Sequence, residues 1–269
     1  MAFGDAILSY KLLSPAQTRK WMKPATSTSS RGVLLGEPWE IHRSNNVTKD
    51  GRMIEFYTKA GDITTYHSLM ILVPDYNITI ALFDAGPINE IGGANLQVWF
   101  SNIVQELLPA LEQAGKDEAE KKYGGTYSDA ETDSSITLSV DDEPGFKVTN
   151  WTANGVDIAK TYLSFALPPQ FPTPEGLIRF RLYPTGLKTD TETSWRVSAT
   201  AGTEEDVAEA DSIFAWPDAS CVTWASMDRI VYQLLAQDHF VFTESGKGSE
   251  RRAEQLELVG YRVNLTRED

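Results

Sequence analysis

The densest group of side chains able to do acid–base work lies between Glu55 and Ser68, in the stretch EFYTKAGDITTYHS. Lys59 offers a cation and a proton path, Gly61 lets a ligand approach the backbone closely, and His67 exchanges protons near neutral pH. Asp62 follows the glycine, where it either pairs with Lys59 or caps a turn. With Tyr57, Tyr66 and Ser68 these residues define a candidate pocket. Lys59, Asp62 and His67 form its catalytic set, and Gly61, Tyr57, Tyr66 and Ser68 its substrate-binding set. Plainer roles compete: a solvated edge-strand lysine, and a histidine hydrogen-bonded at a strand end.

Other chemistries find little support. Cys221 is the single cysteine, which rules out an internal disulfide or a thiolate cluster. His42, His67 and His239 have no metal-ligand spacing, so neither a metal nor another cofactor is expected. The chain of 269 residues carries 38 acidic against 24 basic residues, a net charge of −14 with no basic stripe. That balance excludes a nucleic-acid surface, because phosphates must be neutralised by clustered cations. No apolar run reaches the ~20 residues needed to cross a bilayer, so no membrane partner is expected. The opening MAFGDAILSYKLL lacks the parts of a secretory leader, which places the chain as given in the cytoplasm. Four Asn-x-Ser/Thr sequons, at Asn46, Asn77, Asn150 and Asn264, point the other way, to glycosylation and secreted ancestry; chance in a Thr-rich β protein is the alternative.

The elements that position the candidate pocket are readable from pattern. Residues 3–12 suit a short helix. Ser14-Pro15-Ala16-Gln17 gives a second helix its N-cap, first-turn proline and capping glutamine, and Lys23-Pro24 stops it. Four strand-like runs follow, Trp39–Arg43, Met53–Lys59, Tyr66–Val73 and Asn77–Phe83, with turns at Asp50-Gly51, Gly61-Asp62 and Pro74-Asp75. Connections this short make an antiparallel meander. Ser68–Val73 has no polar alternation and must be covered on both faces. One cover is an amphipathic helix from Gly93 to about Gln113, with Trp99 in its core stripe and a kink at Pro109; the second cover has no evident donor.

This first half, residues 1–115, reads as an α+β domain, an antiparallel sheet with flanking helices. A charged linker, 116–122, leads to an all-β barrel or sandwich over 123–269. Its expected strands are Ser135–Val140, Phe146–Trp151, Thr161–Leu167, Leu177–Tyr183, Ser194–Thr200, Ile213–Trp216, Ile230–Leu235, Phe240–Thr243 and Leu256–Leu265. Trp151, Trp195, Trp216 and Trp224 either fill the barrel or line a ligand site within it, filling being the simpler role. Cys221 reads as a buried inert thiol, and His42 and His239 as structural.

The order of these pieces carries a resemblance. Tyr57-Thr-Lys-Ala-Gly61 resembles the Lys-Thr-Gly edge strand of the serine β-lactamase and penicillin-binding-protein superfamily. Leu13-Ser-Pro, Gly36-Glu-Pro-Trp-Glu-Ile41, Leu69-Met-Ile-Leu-Val-Pro-Asp-Tyr76, the long helix and Lys122-Tyr-Gly-Gly-Thr-Tyr127 extend it over Phe3 to about Leu265. Together they resemble the C-terminal part of secreted β-lactamase-like proteins of filamentous fungi, with their β-rich C-terminal domain. The resemblance implies a partial transpeptidase-like domain and serine-hydrolase ancestry.

The departures decide what the chain alone does. No serine has lysine three residues on, no Tyr-x-Asn occurs, and the single Ser-x-Asn, Ser44-Asn45-Asn46, falls in a turn-like loop. In the family both motifs precede the segment matched here, so the deficit reads as truncation. Without a nucleophile and its base, covalent acyl chemistry is lost. Three functions follow as expectations. The first is a repurposed protein that binds or transforms a small-molecule ligand without hydrolysis, in secondary metabolism; the second is the C-terminal portion of a longer secreted serine hydrolase. The third is a non-catalytic protein that forms homo-oligomers over an uncovered sheet face.

Overall fold

The computed structural model describes residues 2–86, 95–166, 178–215, 227–228 and 230–268. The chain is β-rich and divides into two compact units, Met1–Gln113 and Ala114–Asp269.

The first unit opens with helix α1 (Ala2–Leu8) and helix α2 (Pro15–Trp21). The capping box expected at Ser14 is formed: its hydroxyl accepts from the Gln17 N–H, and the Gln17 side chain reaches back to the Ser14 backbone. Six strands follow: β1 (Thr26–Ser27), β2 (Val33–Leu35), β3 (Glu40–Ser44), β4 (Ile54–Ile63), β5 (Tyr66–Val73) and β6 (Ile78–Ala85). They pair in sequence order as one antiparallel meander. β1 and β2 were not expected; runs of two and three residues carry little strand signal.

Both faces of β5 are covered, as its unbroken apolar run requires. Leu69, Ile71 and Val73 pack with Leu96, Phe100, Val104 and Leu108 of helix α3 (Asn95–Tyr123). Leu72 packs on the opposite face with Ile7 of α1, Trp39, Ile41 and Tyr57, and Trp21 of α2 lies against the same cluster. The second cover, for which the sequence offered no donor, is therefore the pair of short N-terminal helices.

Helix α3 contains Pro109, as expected, and departs from expectation in two ways: it continues to Tyr123 and so absorbs the expected linker 116–122, and Trp99 is 43% exposed instead of core. The buried positions 96, 100, 104 and 108 recur every four residues, and Trp99 sits to one side of that line.

The second unit holds β7 (Gly125–Asp129), β8 (Ser134–Ser139), β9 (Phe146–Ala153), β10 (Val156–Asp157), helix α4 (Ile158–Ala166), β11 (Ile178–Lys188), β12 (Glu192–Ala201) and helix α5 (Glu204–Ser212). After these come β13 (Val231–Tyr232), β14 (Leu235–Ala236), β15 (His239–Ser245), β16 (Arg252–Leu258) and β17 (Val263–Arg267). The pairing β9-β11-β12-β15-β16-β17-β7-β8 closes on itself through β8 and β9, an eight-stranded antiparallel barrel with β10 appended. Trp151 and Trp195 fill its interior with Phe146, Phe180, Phe240 and Phe242. In β9 the buried positions step from Val148 to Trp151, a one-residue bulge at Asn150, whose φ is +49°.

Four expected strands are corrected. Thr161–Leu167 falls largely in α4, where Ile158 and Tyr162, four apart, bury one helical face despite their β propensity. Thr203 and Asp206 form a capping box that starts α5, and Ile213 is that helix's C-cap. Ile230–Leu235 contains the turn between β13 and β14. Leu256–Leu265 is broken by a 3-10 turn at Val259–Tyr261 into β16 and β17. Trp216, Cys221 and Trp224 lie outside the described residues.

Candidate functional site

The candidate site sits on the sheet of the first unit, and strand pleat decides which of its residues meet. Across β4, β5 and β6 the registers are Lys59–Met70–Ala81, Gly61–Ser68–Phe83 and Asp62–His67–Asp84. Successive residues of a strand point to opposite faces. Tyr57, Lys59, Gly61, Tyr66 and Ser68 therefore share the face that carries α1, while Asp62 and His67 lie on the face that carries α3. The catalytic set expected from the sequence is divided by the sheet.

Each half has its own partners. The Lys59 ammonium pairs with the carboxylate of Glu40, the register partner of Thr58 at the end of the β3 pairing, at 2.7 Å, and not with Asp62. The Ser68 hydroxyl donates to the Gly61 carbonyl at 3.1 Å, and a Cβ added at Gly61 would stand 3.0 Å from that hydroxyl. On the other face His67 Nδ1 lies 2.5 Å from Asp62 Oδ1, with His67 largely buried and Asp62 exposed. Tyr57 lies deeper in the core and its hydroxyl donates to Glu55 at 3.0 Å. Burial and the neighbouring Glu55 carboxylate push that phenol above its usual pKa, so Tyr57 serves as a neutral donor. Tyr66 is 65% exposed at the strand end.

The α1 face carries a cleft of about 360 Å³ lined by Lys59, Gly61, Ser68, Met70, Ala81 and Phe83, with Phe3 and Gly4 of α1 at its side. β3 pairs with β4 only as far as Thr58. From Lys59 to Ile63 the strand bonds to β5 on one side and, among the described residues, to no strand on the other. The Lys-Ala-Gly segment is thus a free strand edge that opens beside an apolar cleft with one cation. That arrangement can hold an extended or flat acyl ligand against the backbone of Ala60 and Gly61. Among the described residues no group of three His, Cys, Asp or Glu side chains is placed to hold a metal ion. No described helix is long and apolar enough to cross a membrane.

Several polar groupings had no sequence signal, because their members come from separate elements; the Lys59–Glu40 pair is one. In the barrel, the buried Glu244 carboxylate takes hydrogen bonds or ion pairs from Tyr123, Lys122 and Arg251 at 2.6, 3.1 and 2.6 Å. Arg196 bridges Asp228 and the buried Asp238. His239 Nε2 is 3.0 Å from the Ser194 hydroxyl, and burial with the nearby Arg196 lowers the imidazole pKa. The four sequon asparagines, Asn46, Asn77, Asn150 and Asn264, are all exposed.

Residues 115–269 match the family described as Beta-lactamase-like-like, C-terminal domain, and the chain belongs to that family. Among curated relatives, a Beta-lactamase-like protein of Arthroderma benhamiae is 27% identical over 259 residues, 88% of this chain and 42% of the relative. Probable hydrolase clz13 of Cochliobolus lunatus is 23% identical over 267 residues, 94% of this chain and 41% of its own length. The chain thus spans about two fifths of the length of these relatives. The octameric penicillin-binding protein homologue from Pyrococcus abyssi aligns with 97% of this chain and 44% of its own, at 12% identity and a TM-score of 0.26, too low to define a shared fold.

Proposed function

We propose that this chain is the C-terminal part of a serine hydrolase of the β-lactamase type, and that it forms the wall against which an acyl substrate lies. The observation that carries the reading is the free Lys59–Ile63 edge beside a cleft holding Lys59, Gly61 and Ser68. In this reading Lys59 balances negative charge on the substrate, and Gly61 and Ala60 present backbone to it. The sheet with its two helical covers is then a partial transpeptidase-like domain. Relatives named Beta-lactamase-like protein and Probable hydrolase, each more than twice this length, support the same view. The attacking serine and its lysine come from outside these residues, since no Ser-x-x-Lys occurs within them. The exposed sequons favour passage through the secretory route and glycosylation at Asn46, Asn77, Asn150 and Asn264.

The test is labelling with a fluorophosphonate ester. The chain alone is expected to remain unlabelled. The product of the full upstream reading frame is expected to label at a serine that lies before Met1, and Lys59→Ala in that product to slow labelling about 100-fold. Labelling of a serine within the 269 residues, or an unaffected Lys59→Ala variant, would overturn the reading. A second reading, a ligand-binding protein that does no hydrolysis, rests on the apolar lining supplied by Phe3, Met70 and Phe83. It predicts that hydrophobic metabolites raise the Tm of the chain alone.

A further inference from the structure

A second cleft in the first unit plays no part in that reading. It encloses about 590 Å³ between the end of α1, α2 and the first half of β4, within the range of small-molecule sites. Its apolar wall comes from Leu8, Met22, Pro24 and Pro74, and Arg19 and Lys23 stand at its rim. Neither cation has an acidic partner among the described residues, although the protein carries 38 acidic side chains. Arg19 instead lies over the Tyr10 ring, 5.9 Å from its centroid. The one carboxylate in the lining, Glu55, is already engaged by Arg43 at 3.3 Å and by the Tyr57 hydroxyl. Asp75, next to Pro74, stands close enough to Glu55 and Tyr57 to act on both, so the local balance is Arg19 and Lys23, without acidic partners among the described residues, on the helix side of the hollow and two carboxylates on its strand side.

We infer that this cleft binds a small organic anion, a carboxylate on an apolar or aromatic body. The acid lies between Arg19 and Lys23, and the body rests on Tyr10, Leu8 and Met22. Hydrogen bonds from the guanidinium are charge-assisted and suit a planar carboxylate, while the apolar wall separates this ligand from inorganic phosphate. The site is distinct from the Lys59 cleft: the two lie at opposite ends of α1, Leu8 and Tyr10 at one and Phe3 and Gly4 at the other.

The experiment is a titration of the purified chain with 4-phenylbutyrate, with its uncharged amide and with inorganic phosphate, read by methyl and aromatic NMR shifts. The acid is expected to shift Met22, Leu8 and Tyr10 signals and to bind about tenfold more tightly than the amide. The Arg19→Gln/Lys23→Gln double variant, with an unchanged far-UV spectrum, loses that advantage, whereas Lys59→Ala keeps it. Shifts confined to other residues, equal affinity for acid and amide, tighter binding of phosphate than of the acid, a double variant that binds like the parent, or no saturable shift with the acid would each overturn the inference. Because Lys59→Ala reports on the other cleft, failure here leaves the hydrolase reading standing.

Discussion

Gly4 of α1 lies against Thr79 of β6 so closely that a Cβ added at Gly4 would come within 2.6 Å of the Thr79 methyl and 3.0 Å of Leu72. The helix that covers the second face of β5 reaches its seat because one residue has no side chain. Two effects then compete in Gly4→Ala. Alanine gains roughly 1 kcal/mol in helix propensity, and overpacking costs about 1–3 kcal/mol. Packing wins, so the variant is expected to unfold at lower denaturant, and adding Thr79→Ser, which removes the methyl but leaves the Thr79 Cβ at 2.9 Å, recovers part of the loss. A more stable Gly4→Ala protein in urea titration would contradict this contact.

The Glu244 carboxylate contributes to the acid behaviour of the barrel. Its side chain is 1% exposed. Burial alone would raise its pKa, but the Tyr123 hydroxyl, Lys122 and Arg251 together hold it below the usual glutamate value. The unfolded chain therefore takes up this proton at higher pH than the folded one. Its stabilisation is complete above the ordinary carboxylate range and is lost as pH falls through the folded pKa. Glu244→Gln is expected to cost about 2 kcal/mol near neutrality and to flatten the acid limb of the stability curve. Parallel curves for parent and variant in acid would remove Glu244 from that role.

Trp151 and Trp99 give a paired test of burial. The Trp151 ring is enclosed by Phe180, Phe240, Tyr261 and Tyr162 with centroids 5.1, 5.3, 5.6 and 6.0 Å away. Trp151→Ala should destabilise the protein by about 3–5 kcal/mol, as expected for emptying a packed aromatic site. Trp99→Ala, on an exposed helix position, should change stability by no more than about 0.5 kcal/mol. Equilibrium denaturation of the two variants ranks them directly, and the reverse order would refute the placement of both rings.

The barrel histidine provides a second pH test. Burial, with Arg196 nearby, holds His239 below the ordinary imidazole pKa. The unfolded state therefore binds its proton first as pH falls, and the contribution present above the usual histidine value declines below it. NMR titration should find His239 protonating at lower pH than a histidine in a short peptide. A midpoint at or above the peptide value would contradict its environment in the fold.

The sequence revealed most elements and some of their partners, but not how the strand faces are shared out. The Ser14 capping box, the meander and the need for two covers over Ser68–Val73 are local or periodic, and pattern shows them. Gly61-Asp62 reads as a turn because both residue types favour turns, yet β4 runs on to Ile63 and the reversal falls at Thr64 and Thr65. That four-residue extension past Lys59 has a large effect. Lys59 and Asp62 are three apart on one strand, and an odd separation puts them on opposite faces. The Glu40 partner of Lys59 and the cluster around Glu244 were illegible because each joins residues distant in sequence. Likewise, the pattern of short strands fitted a sandwich as well as a barrel; only the β8–β9 pairing distinguishes them.

That closure orders events during synthesis. β7, the first barrel strand, finds one of its two neighbours only in β17, the last. A nascent barrel therefore waits, with two sticky seams exposed, until β17 has left the ribosome. Chaperone demand should peak in that interval, and loss of the final strand should harm yield far more than its five residues suggest.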